Sequence, residues 1–496
     1  MKNFLFFPVL LYSLFVLSCQ NQTTGTTPES LGVSSRAVAD FLEALDSLQP
    51  GDMHGFVLMR HGEKVAEGWW DPYRPEYPHM LYSLSKSFTS TAIGIAQDEG
   101  LLSIYDPVIS FFPGKVPANP SENLKSMRIK DLLRMSSGHQ EGTMPRIMIT
   151  DSWVEAFLSL EVEFKPGTHF LYNTGATFML AAIVQKVSGE TLLDYLTPRL
   201  FDPLGIENPT WEMNPEGINM GGFGLSITTE DIATFGQFLL QKGNWNGRQL
   251  VSREWIEEAT RLETSNGSNP ESDWEQGYGY QFWMCRHGLY RGDGAFGQYC
   301  IVMNDLDAVL AINSGTTNMQ GIMNIAWETL LPAMNEAPLP ADPEGDEMLH
   351  RKIASLTVGA VKGMERVPVS AEISGVKYSM EPNEMAISWI ALEQGDSVVN
   401  GSIMTPDGVK KFSAGYGSWK EGILKAPPWE SDKMRASGAW TSENSFTARL
   451  VYIETPYRID FTFRFEGDRV YMDTKQNVSS GGSGFRTLVG IASATE

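Results

Sequence analysis

A serine and a lysine lie three residues apart within residues 80–100, MLYSLSKSFTSTAIGIAQDEG. The residues after Ser83 carry small and apolar side chains at helical spacing, which predicts a buried helix that begins near this serine. Lys86 follows Ser83 by one helical turn, so the two side chains should lie on the same face. Burial disfavours a charged ammonium, so a buried Lys86 can accept the hydroxyl proton of Ser83. The spacing therefore predicts a nucleophilic serine with a lysine base.

The S-x-x-K pattern occurs a second time, at Ser374 and Lys377. This segment is predicted to be extended, and residues three apart in a strand point to opposite faces. We interpret the second match as a chance occurrence and keep Ser83 as the candidate nucleophile.

The size and charge of the chain limit the classes of function. The chain has 496 residues and a net charge of −22 at pH 7. This length allows two or three domains. The strongly negative charge argues against a nucleic-acid partner, because the nucleic-acid backbone is itself negatively charged.

The N-terminus has the layout of an export signal. Lys2 precedes an apolar run over residues 4–17, which is short for a membrane span and typical of a signal peptide. The run ends in VLSC, which resembles a bacterial lipobox and implies cleavage before Cys19 and lipidation of Cys19; the alternative is an ordinary signal peptide with a chance cysteine. Residues 1–19 are thus predicted to be a lipoprotein signal peptide and residues 20–32 a polar tether. The expected location is the cell envelope, on the periplasmic face of a membrane or at the cell surface.

The two remaining cysteines are Cys285 and Cys300. An oxidising compartment permits a disulfide between them, and two buried thiols are equally compatible with the sequence. His287 lies beside Cys285, but this pair lacks the further ligands of a zinc site, so a structural role is favoured and no metal is predicted.

The elements around Ser83 predict an α+β domain over residues 33–334. A hairpin and the Ser83 helix come first, a long helical insert follows, and three strands and a helix close the unit. This order predicts an antiparallel sheet that is built from both ends of the domain and flanked by helices. The segments are a helix at 34–48, hairpin strands at 56–60 and 64–70, helices at 176–188, 191–200 and 231–240, strands at 278–285, 299–303 and 308–313, and a helix at 322–331.

The pattern changes after residue 334. Residues 335–350 are rich in proline and acidic side chains and are predicted to be a linker. In residues 351–496, apolar and polar side chains alternate with the period of a strand, for example at Phe461, Phe463 and Phe465. This part is predicted to be a small all-β barrel or sandwich.

With these elements in place, residues 31–334 resemble the serine β-lactamase and penicillin-binding protein superfamily, in particular its class C-like branch. That branch includes esterases, D-aminopeptidases and 6-aminohexanoate-dimer hydrolase. The resemblance implies a β-lactamase-like fold. It is carried by three motifs, which are Ser83-Leu84-Ser85-Lys86 for S-x-x-K, Tyr172-Asn173-Thr174 after Pro166-Gly167-Thr168 for Y-x-N, and Gly292-Asp293-Gly294 for K-T-G.

Two departures from the motifs bear on the substrate. The cation that usually opens the third motif often holds a substrate carboxylate, and Gly292 stands in its place. Thr174 stands where an asparagine is usual, so the amide NH₂ that could contact an acyl side chain is missing. Both departures make a β-lactam or a D-Ala-D-Ala peptide less expected and favour an ester or amide substrate.

The resemblance implies an acyl-enzyme mechanism that needs no cofactor. Ser83 would attack a carbonyl, and either a neutral Lys86 or a Tyr172 phenolate would accept its proton. The backbone N–H groups of Ser83 and Ala295 would form the oxyanion hole. Substrate contacts are predicted for Asn173, Thr174, Gly292, Asp293 and Gly294.

Other functions stay open at this point. Within enzymes, the alternatives are a D,D-carboxypeptidase or D-aminopeptidase and a β-lactamase that act on cell-wall-type peptides. In another class, the protein would be a catalytically inactive binding protein whose β domain carries the interaction. For single residues, Ser83 could be only a helix cap and Tyr172 only a core aromatic. The predicted partners are a small ester, amide or peptide substrate and, through Cys19, a membrane.

Overall fold

A six-stranded antiparallel sheet organises the N-terminal domain, with the strand order β2-β1-β11-β10-β9-β8. The computed structural model describes residues 26–424, 433–479 and 485–493, so Cys19 and the predicted signal peptide lie outside the described residues. The strands of this sheet and of two small accessory sheets are β1 (Gly51–Arg60), β2 (Glu63–Trp69), β3 (His79–Met80), β4 (Thr210–Trp211), β5 (Leu225–Ile227), β6 (Asn244–Trp245), β7 (Arg248–Gln249), β8 (Trp283–Met284), β9 (Tyr290–Gly294), β10 (Gln298–Met303) and β11 (Ala308–Thr316).

Helices cover both faces of this sheet. The helices of the domain are α1 (Ser35–Ser47), α2 (Ser85–Asp98), α3 (Glu122–Ser126), α4 (Ile129–Leu133), α5 (Met144–Ile147), α6 (Trp153–Ser159), α7 (Thr174–Ser188), α8 (Leu192–Leu196), α9 (Asp202–Leu204), α10 (Thr229–Leu240), α11 (Arg253–Ala259) and α12 (Met319–Thr329). The pleat of β1 sends Val57 into the core with α2, α7 and α10, and sends Phe56 and Leu58 into the core with α1 and α12. The predicted sheet from both chain ends, with helices around it, is confirmed.

Helix α2 lies inside the first of these cores. Every residue from Ser85 to Ala96 is buried. A Cβ at Gly94 would lie 2.5 Å from the Trp255 ring, so the helix packs too closely for any larger residue there. The buried helix predicted after Ser83 is therefore present, and it provides a rigid base for the serine.

Two segments predicted to be flexible connections are ordered where the structure describes them. In the predicted tether, Glu29–Leu31 form a 3-10 turn, and the buried Glu29 carboxylate accepts the Ser35 hydroxyl at 2.6 Å. Helix α13 (Pro343–Ala354) begins within the predicted linker and runs beyond its end; it packs on α1 and is fixed by an Arg36–Asp342 ion pair of 2.6 Å. Opposite charges on α1 and on the start of α13 make this acidic segment part of the domain surface.

A closed β-barrel follows the short helix α14 (Pro368–Glu372). Its strands are β12 (Lys377–Met380), β13 (Trp389–Gln394), β14 (Val398–Thr405), β15 (Gly408–Tyr416), β16 (Lys420–Ile423), β17 (Lys433–Ser442), β18 (Ser445–Tyr452), β19 (Arg458–Glu466), β20 (Arg469–Gln476) and β21 (Phe485–Ala492). Pairing of β15 with β17 closes nine of the ten described strands into a ring, and β16 adds to β17 at the side. Phe461, Phe463 and Phe465 all point into the barrel core, as the alternation predicted. The sequence left a barrel and a sandwich open for this domain, and the structure shows a barrel.

The barrel docks on the N-terminal domain close to the start of α2. The Met80 N–H donates a hydrogen bond of 2.8 Å to the carbonyl of Glu454, which lies in the loop between β18 and β19. At the base of this loop, Arg458 forms an ion pair of 3.0 Å with Asp52 of β1. The two domains therefore share an interface that reaches the residues immediately before Ser83.

Candidate active site

Ser83 lies in a 3-10 turn (Tyr82–Leu84) that leads directly into α2. The hydroxyl of Ser85 donates to the Tyr82 carbonyl at 2.7 Å and accepts the Leu225 N–H at 3.2 Å, which fixes the turn against β5. From the first turn of α2, the Lys86 Nζ reaches the Ser83 Oγ at 3.1 Å. The two residues of the first motif are thus in direct contact, as their spacing predicted.

Lys86 is buried, with 1% of its surface exposed. Its Nζ also donates a hydrogen bond to the carbonyl of Gly222 at 2.6 Å. Burial lowers the pKa of Lys86 to about 7, against a smaller opposing effect of the Asp293 carboxylate. A large fraction of Lys86 is therefore a neutral amine near neutral pH, which is the form that can accept the Ser83 proton.

Tyr172 reaches the same serine from the segment before α7. Its hydroxyl hydrogen-bonds to Ser83, and the Lys86 Nζ lies 5.0 Å from its ring centroid. Its ring stacks on Trp283 of β8, with centroids 5.1 Å apart. Burial raises the pKa of Tyr172 above its usual value, and Asp293 adds to this effect, so the phenol stays protonated at neutral pH. Of the two bases that the sequence left open, these pKa directions favour Lys86, and a protonated Tyr172 hydroxyl can donate a hydrogen bond at the site.

The side chain of Asn173 makes hydrogen bonds within the protein. It is fully buried, and its Oδ1 accepts the Gly175 N–H at 3.2 Å as the N-cap of α7. The same oxygen accepts the N–H and the hydroxyl of Thr143, at 3.1 and 2.8 Å. This side chain ties α7 to α5 and so fixes the neighbouring Tyr172, while its predicted substrate contact stays a prediction. Thr174 does lie at the site, because its Cγ2 faces Gly222, the residue whose carbonyl accepts Lys86.

Gly292 and Gly294 allow β9 to lie against the start of α2. A Cβ at position 294 would stand 2.0 Å from the Leu81 carbonyl, and one at position 292 would stand 2.4 Å from the Leu84 Cδ1. Gly292 therefore faces the packing between β9 and α2, and its predicted substrate contact stays a prediction. Gly294 brings the strand end and the following Ala295 beside the turn that carries Ser83.

A buried ion pair lies on the other face of β9. The Arg291 guanidinium contacts the Asp293 carboxylate at 2.8 Å, and both side chains are buried. Arg291 also donates to the Asp273 carbonyl at 2.8 Å and lies 4.7 Å from the Trp274 ring. Arg291 is not among the predicted site residues, although alternation along a strand places the opposite charges at positions 291 and 293 on one face. A cation is thus present in this strand, but Asp293 already neutralises it.

The cysteines and His287 take structural positions. Cys285 and Cys300 are free, buried thiols, because they belong to the cores on opposite faces of the sheet. Cys285 Sγ accepts a hydrogen bond from Arg291 at 3.2 Å, and the ring of His287 packs near Trp327, with centroids 5.8 Å apart.

The second S-x-x-K match has no counterpart of this arrangement. Ser374 lies in a turn before β12, where its hydroxyl accepts the Gln394 N–H at 3.0 Å. Lys377 extends over the Trp389 ring, at 4.9 Å from the Nζ to the centroid.

In residues 26–424, 433–479 and 485–493, no group of three or more His, Cys, Asp or Glu side chains is arranged to hold a metal ion. Over the same residues, we find no helix with the length and apolar character needed to cross a bilayer.

Comparison with known proteins identifies the family. The β-lactamase family model matches residues 49–329, more than half of the chain, and the protein belongs to this family. The fold is accordingly β-lactamase-like with a C-terminal barrel, and members of the family are serine hydrolases; the curated relatives include a 6-aminohexanoate-dimer hydrolase, a D-aminopeptidase and a lovastatin esterase.

Two curated proteins and one solved structure illustrate the similarity. The 6-aminohexanoate-dimer hydrolase of Paenarthrobacter ureafaciens is 25% identical over 304 residues, which are 55% of this chain and 75% of that protein. Penicillin-binding protein 4* of Bacillus subtilis is 26% identical over 186 residues, 34% of this chain and 39% of that protein. A putative 6-aminohexanoate-dimer hydrolase from Bacillus anthracis superposes with a TM-score of 0.50 at 20% identity, over 58% of this chain and 80% of that one. The family resemblance predicted from the three motifs is confirmed.

Proposed function

We propose that the protein is an exported serine hydrolase that cleaves an ester or amide through an acyl-enzyme on Ser83. The observation that carries this proposal is the 3.1 Å contact between Ser83 Oγ and the buried Lys86 Nζ, whose pKa is about 7. A neutral amine in hydrogen-bond contact with a serine hydroxyl is the arrangement that activates this weak nucleophile.

The first half of the reaction transfers the acyl group to the protein. Ser83 Oγ bonds to the carbonyl carbon while its proton passes to Lys86, and the N–H groups of Ser83 and Ala295 hold the oxyanion. When the tetrahedral intermediate collapses, the bond to the alcohol or amine breaks. The leaving group takes up the proton from Lys86, relayed through the Tyr172 hydroxyl that contacts Ser83.

The second half releases the acyl group to water. Lys86 is neutral again and accepts a proton from the attacking water, whose oxygen bonds to the acyl carbon. The bond to Ser83 Oγ then breaks, and the proton returns to Ser83. The products are a carboxylic acid and the free enzyme, so the cycle consumes only the substrate and one water.

Esters and amides without a required carboxylate are the proposed substrate class. On β9, which the structure describes completely, Arg291 is paired with Asp293 at 2.8 Å and is buried. A cation neutralised in this way offers little to the carboxylate of a β-lactam or of a D-Ala-D-Ala peptide. The name of the Paenarthrobacter relative, a 6-aminohexanoate-dimer hydrolase, supports an amide as the cleaved bond, because two amino acids are joined through an amide, but it does not bear on the carboxylate.

A labelling experiment tests the proposed function. A fluorophosphonate probe should label the protein, and peptide mass spectrometry should place the adduct on Ser83. Ser83→Ala should lose both the label and the turnover of p-nitrophenyl butyrate. Ser374→Ala is the matched control, because it removes the serine of the second S-x-x-K match and should leave both unchanged. Persistent turnover in Ser83→Ala, or an adduct on Ser374, would refute the proposal.

We also propose that the mature protein is anchored to the cell envelope by lipid on Cys19. The support is the sequence pattern alone: the apolar run over residues 4–17 ends in VLSC, and a polar segment separates it from residue 26.

A further inference from the structure

Three aromatic rings from the two domains meet beside Ser83. Tyr82 precedes Ser83, Phe296 follows Ala295, and Tyr457 comes from the barrel loop between β18 and β19. The Tyr82 and Phe296 centroids are 5.5 Å apart at 87°, and those of Phe296 and Tyr457 are 5.9 Å apart at 63°. The hydroxyls of Tyr82 and Tyr457 are hydrogen-bonded to each other. One barrel residue thus contacts the neighbours of both proposed oxyanion-hole residues.

Both of these neighbours have an unfavourable backbone conformation. Tyr82 has φ 48° and Phe296 has φ 68°, in the left-handed region that bulky residues rarely adopt. Such residues persist when surrounding contacts hold them, and they are concentrated at functional sites. Here the strained residues directly adjoin Ser83 and Ala295: Tyr82 shares the peptide plane that carries the Ser83 N–H, and Phe296 holds the peptide that follows Ala295.

The loop that carries Tyr457 is fixed at several points. Within the loop, the Tyr457 N–H donates to the Thr455 hydroxyl at 3.2 Å. Asn477 at the end of β20 donates through its Nδ2 both to the Pro456 carbonyl, at 2.9 Å, and to the Gly315 carbonyl of β11, at 3.1 Å. Because the loop is tied to the sheet of the N-terminal domain, Tyr457 is held in a defined position and can hold other residues in turn.

We propose that Tyr457 is a positioning residue for catalysis, through which the barrel holds Tyr82 and Phe296 and so directs the N–H groups of Ser83 and Ala295 towards the substrate carbonyl oxygen. This inference rests on the proposed acyl-enzyme at Ser83. It gives the barrel a role in the reaction itself, although the barrel supplies no group that touches the substrate carbonyl.

The inference predicts a characteristic kinetic effect. Oxyanion-hole donors bind the transition state more strongly than the substrate, so their displacement lowers kcat and leaves KM nearly unchanged. Removal of one such donor typically lowers kcat by about 100- to 1000-fold. A donor that is only displaced should cost less, so we expect Tyr457→Leu to lower kcat by about 10- to 100-fold and to change KM by less than about threefold.

The test measures kcat and KM for p-nitrophenyl butyrate in the full-length protein. Phe446→Leu is the matched control, because it also replaces a buried ring of the barrel core with leucine, and this ring packs on Trp440 rather than on residues next to Ser83. The inference expects kcat to fall in Tyr457→Leu and to stay within about threefold of the wild type in Phe446→Leu. An unchanged kcat in Tyr457→Leu, or an equal fall in both variants, would overturn it.

If Tyr457→Leu does not fold, a milder set of variants tests the positioning role of Tyr457. Tyr457→Phe and Tyr82→Phe each remove one hydroxyl of the hydrogen-bonded pair and keep all three rings. If the pair acts as one unit, each single variant should lower kcat by about the same factor, roughly three- to tenfold, and the double variant should lower it no further. Additive effects, or none, would contradict the inference.

Labelling separates this inference from the proposed function. Fluorophosphonate should still label Ser83 completely in Tyr457→Leu, only more slowly, because the nucleophile and its base remain. If wild-type protein carries no label on Ser83, the proposed function fails. If Ser83 is labelled at the same rate in wild type and in Tyr457→Leu, only the positioning role fails.

Discussion

At the scale of single residues, the protonation of Lys86 controls when Ser83 can react. The pKa of Lys86 is about 7, so the amine carries a proton below that pH and is neutral above it. Since the neutral amine is the base, kcat/KM for an ester should rise with pH through about 7 and then level off. Lys86→Ala should lose several orders of magnitude in acylation rate, because base and nucleophile work as one unit. A flat pH–rate profile from well below to well above neutrality would contradict the base role of Lys86.

The carboxylate of Asp293 should shift this profile. Asp293 favours the ammonium form of Lys86, so Asp293→Asn should move the rising limb of kcat/KM to lower pH. The variant should also be less stable, because the buried Arg291 loses its charged partner. Asp460→Asn is the control, since it breaks a comparable ion pair with Arg449, of 2.9 Å, in the barrel. An equal pH shift in both variants would show that Asp293 does not act on Lys86.

The hydroxyl of Tyr172 is expected to relay the proton to the leaving group. Tyr172→Phe keeps the ring that stacks on Trp283 and removes only the group that contacts Ser83. We expect kcat to fall by about two to four orders of magnitude, the usual contribution of one proton-transfer group. The unfolding midpoint should change little, and single-turnover measurements with an ester should assign the loss to acylation. A loss of less than about threefold would leave Tyr172 as a packing residue.

At the scale of secondary-structure elements, the close approach of β9 to the start of α2 sets the geometry of the site. A Cβ at position 294 would lie 2.0 Å from the Leu81 carbonyl, a backbone atom that cannot move by itself. Gly294→Ala should therefore push β9 away from the turn that carries Ser83. A displacement of about 1 Å can cost about 100-fold in rate, so we expect a loss of that order in kcat.

The matched control for this substitution is Gly114→Ala. Position 114 lies in a 3-10 turn, and nothing stands within 4 Å of a Cβ there. Its activity should equal that of the wild type. Comparable kcat values for the two glycine variants would mean that β9 and the Ser83 turn adjust to each other and that their distance does not control the reaction.

At the scale of the whole molecule, the two domains should remain together when the chain between them is cut. Residues 336–341 are largely exposed and connect the N-terminal domain to α13. After cleavage at a protease site inserted there, the halves should co-elute and keep esterase activity. The physical reason is the packing of α13 on α1 together with the docked barrel interface, which includes the Asp52–Arg458 ion pair and the Tyr82–Tyr457 contact. Separation of the halves in native buffer, with activity retained by the first half alone, would contradict a shared site.

The location of the protein can be tested through Cys19. Wild-type protein expressed in a bacterium should partition into the detergent phase, and Cys19→Ala should release it into the aqueous phase. The acyl chain supplies the apolar surface that this partition measures. A wild-type protein that stays aqueous, with its N-terminus cut at another residue, would rule out the lipid anchor.

The sequence alone determined the features that depend on neighbouring residues. Helical spacing predicted the buried α2 and the shared face of Ser83 and Lys86, and alternation predicted the β strands of the barrel. The three motifs were enough to predict the family and the fold, because they occur in the expected order along the chain and on the expected helices and strands. The C-terminal unit stayed open between barrel and sandwich, since closure depends on the pairing of β15 with β17 and local alternation is the same in both forms.

Only the tertiary structure decided how remote segments act on the nucleophile. Asn173 ties α7 to α5 because Thr143 reaches its Oδ1 across the fold. Arg291 is neutralised because it is buried against Trp274 and Trp283 together with its partner Asp293. The contact of Tyr457 with Tyr82 joins residues 375 positions apart. A sequence pattern indicates which face of a helix or strand a residue occupies. Contacts between remote residues depend instead on how the helices and strands pack against each other. The same packing buries Lys86 and so lowers its pKa.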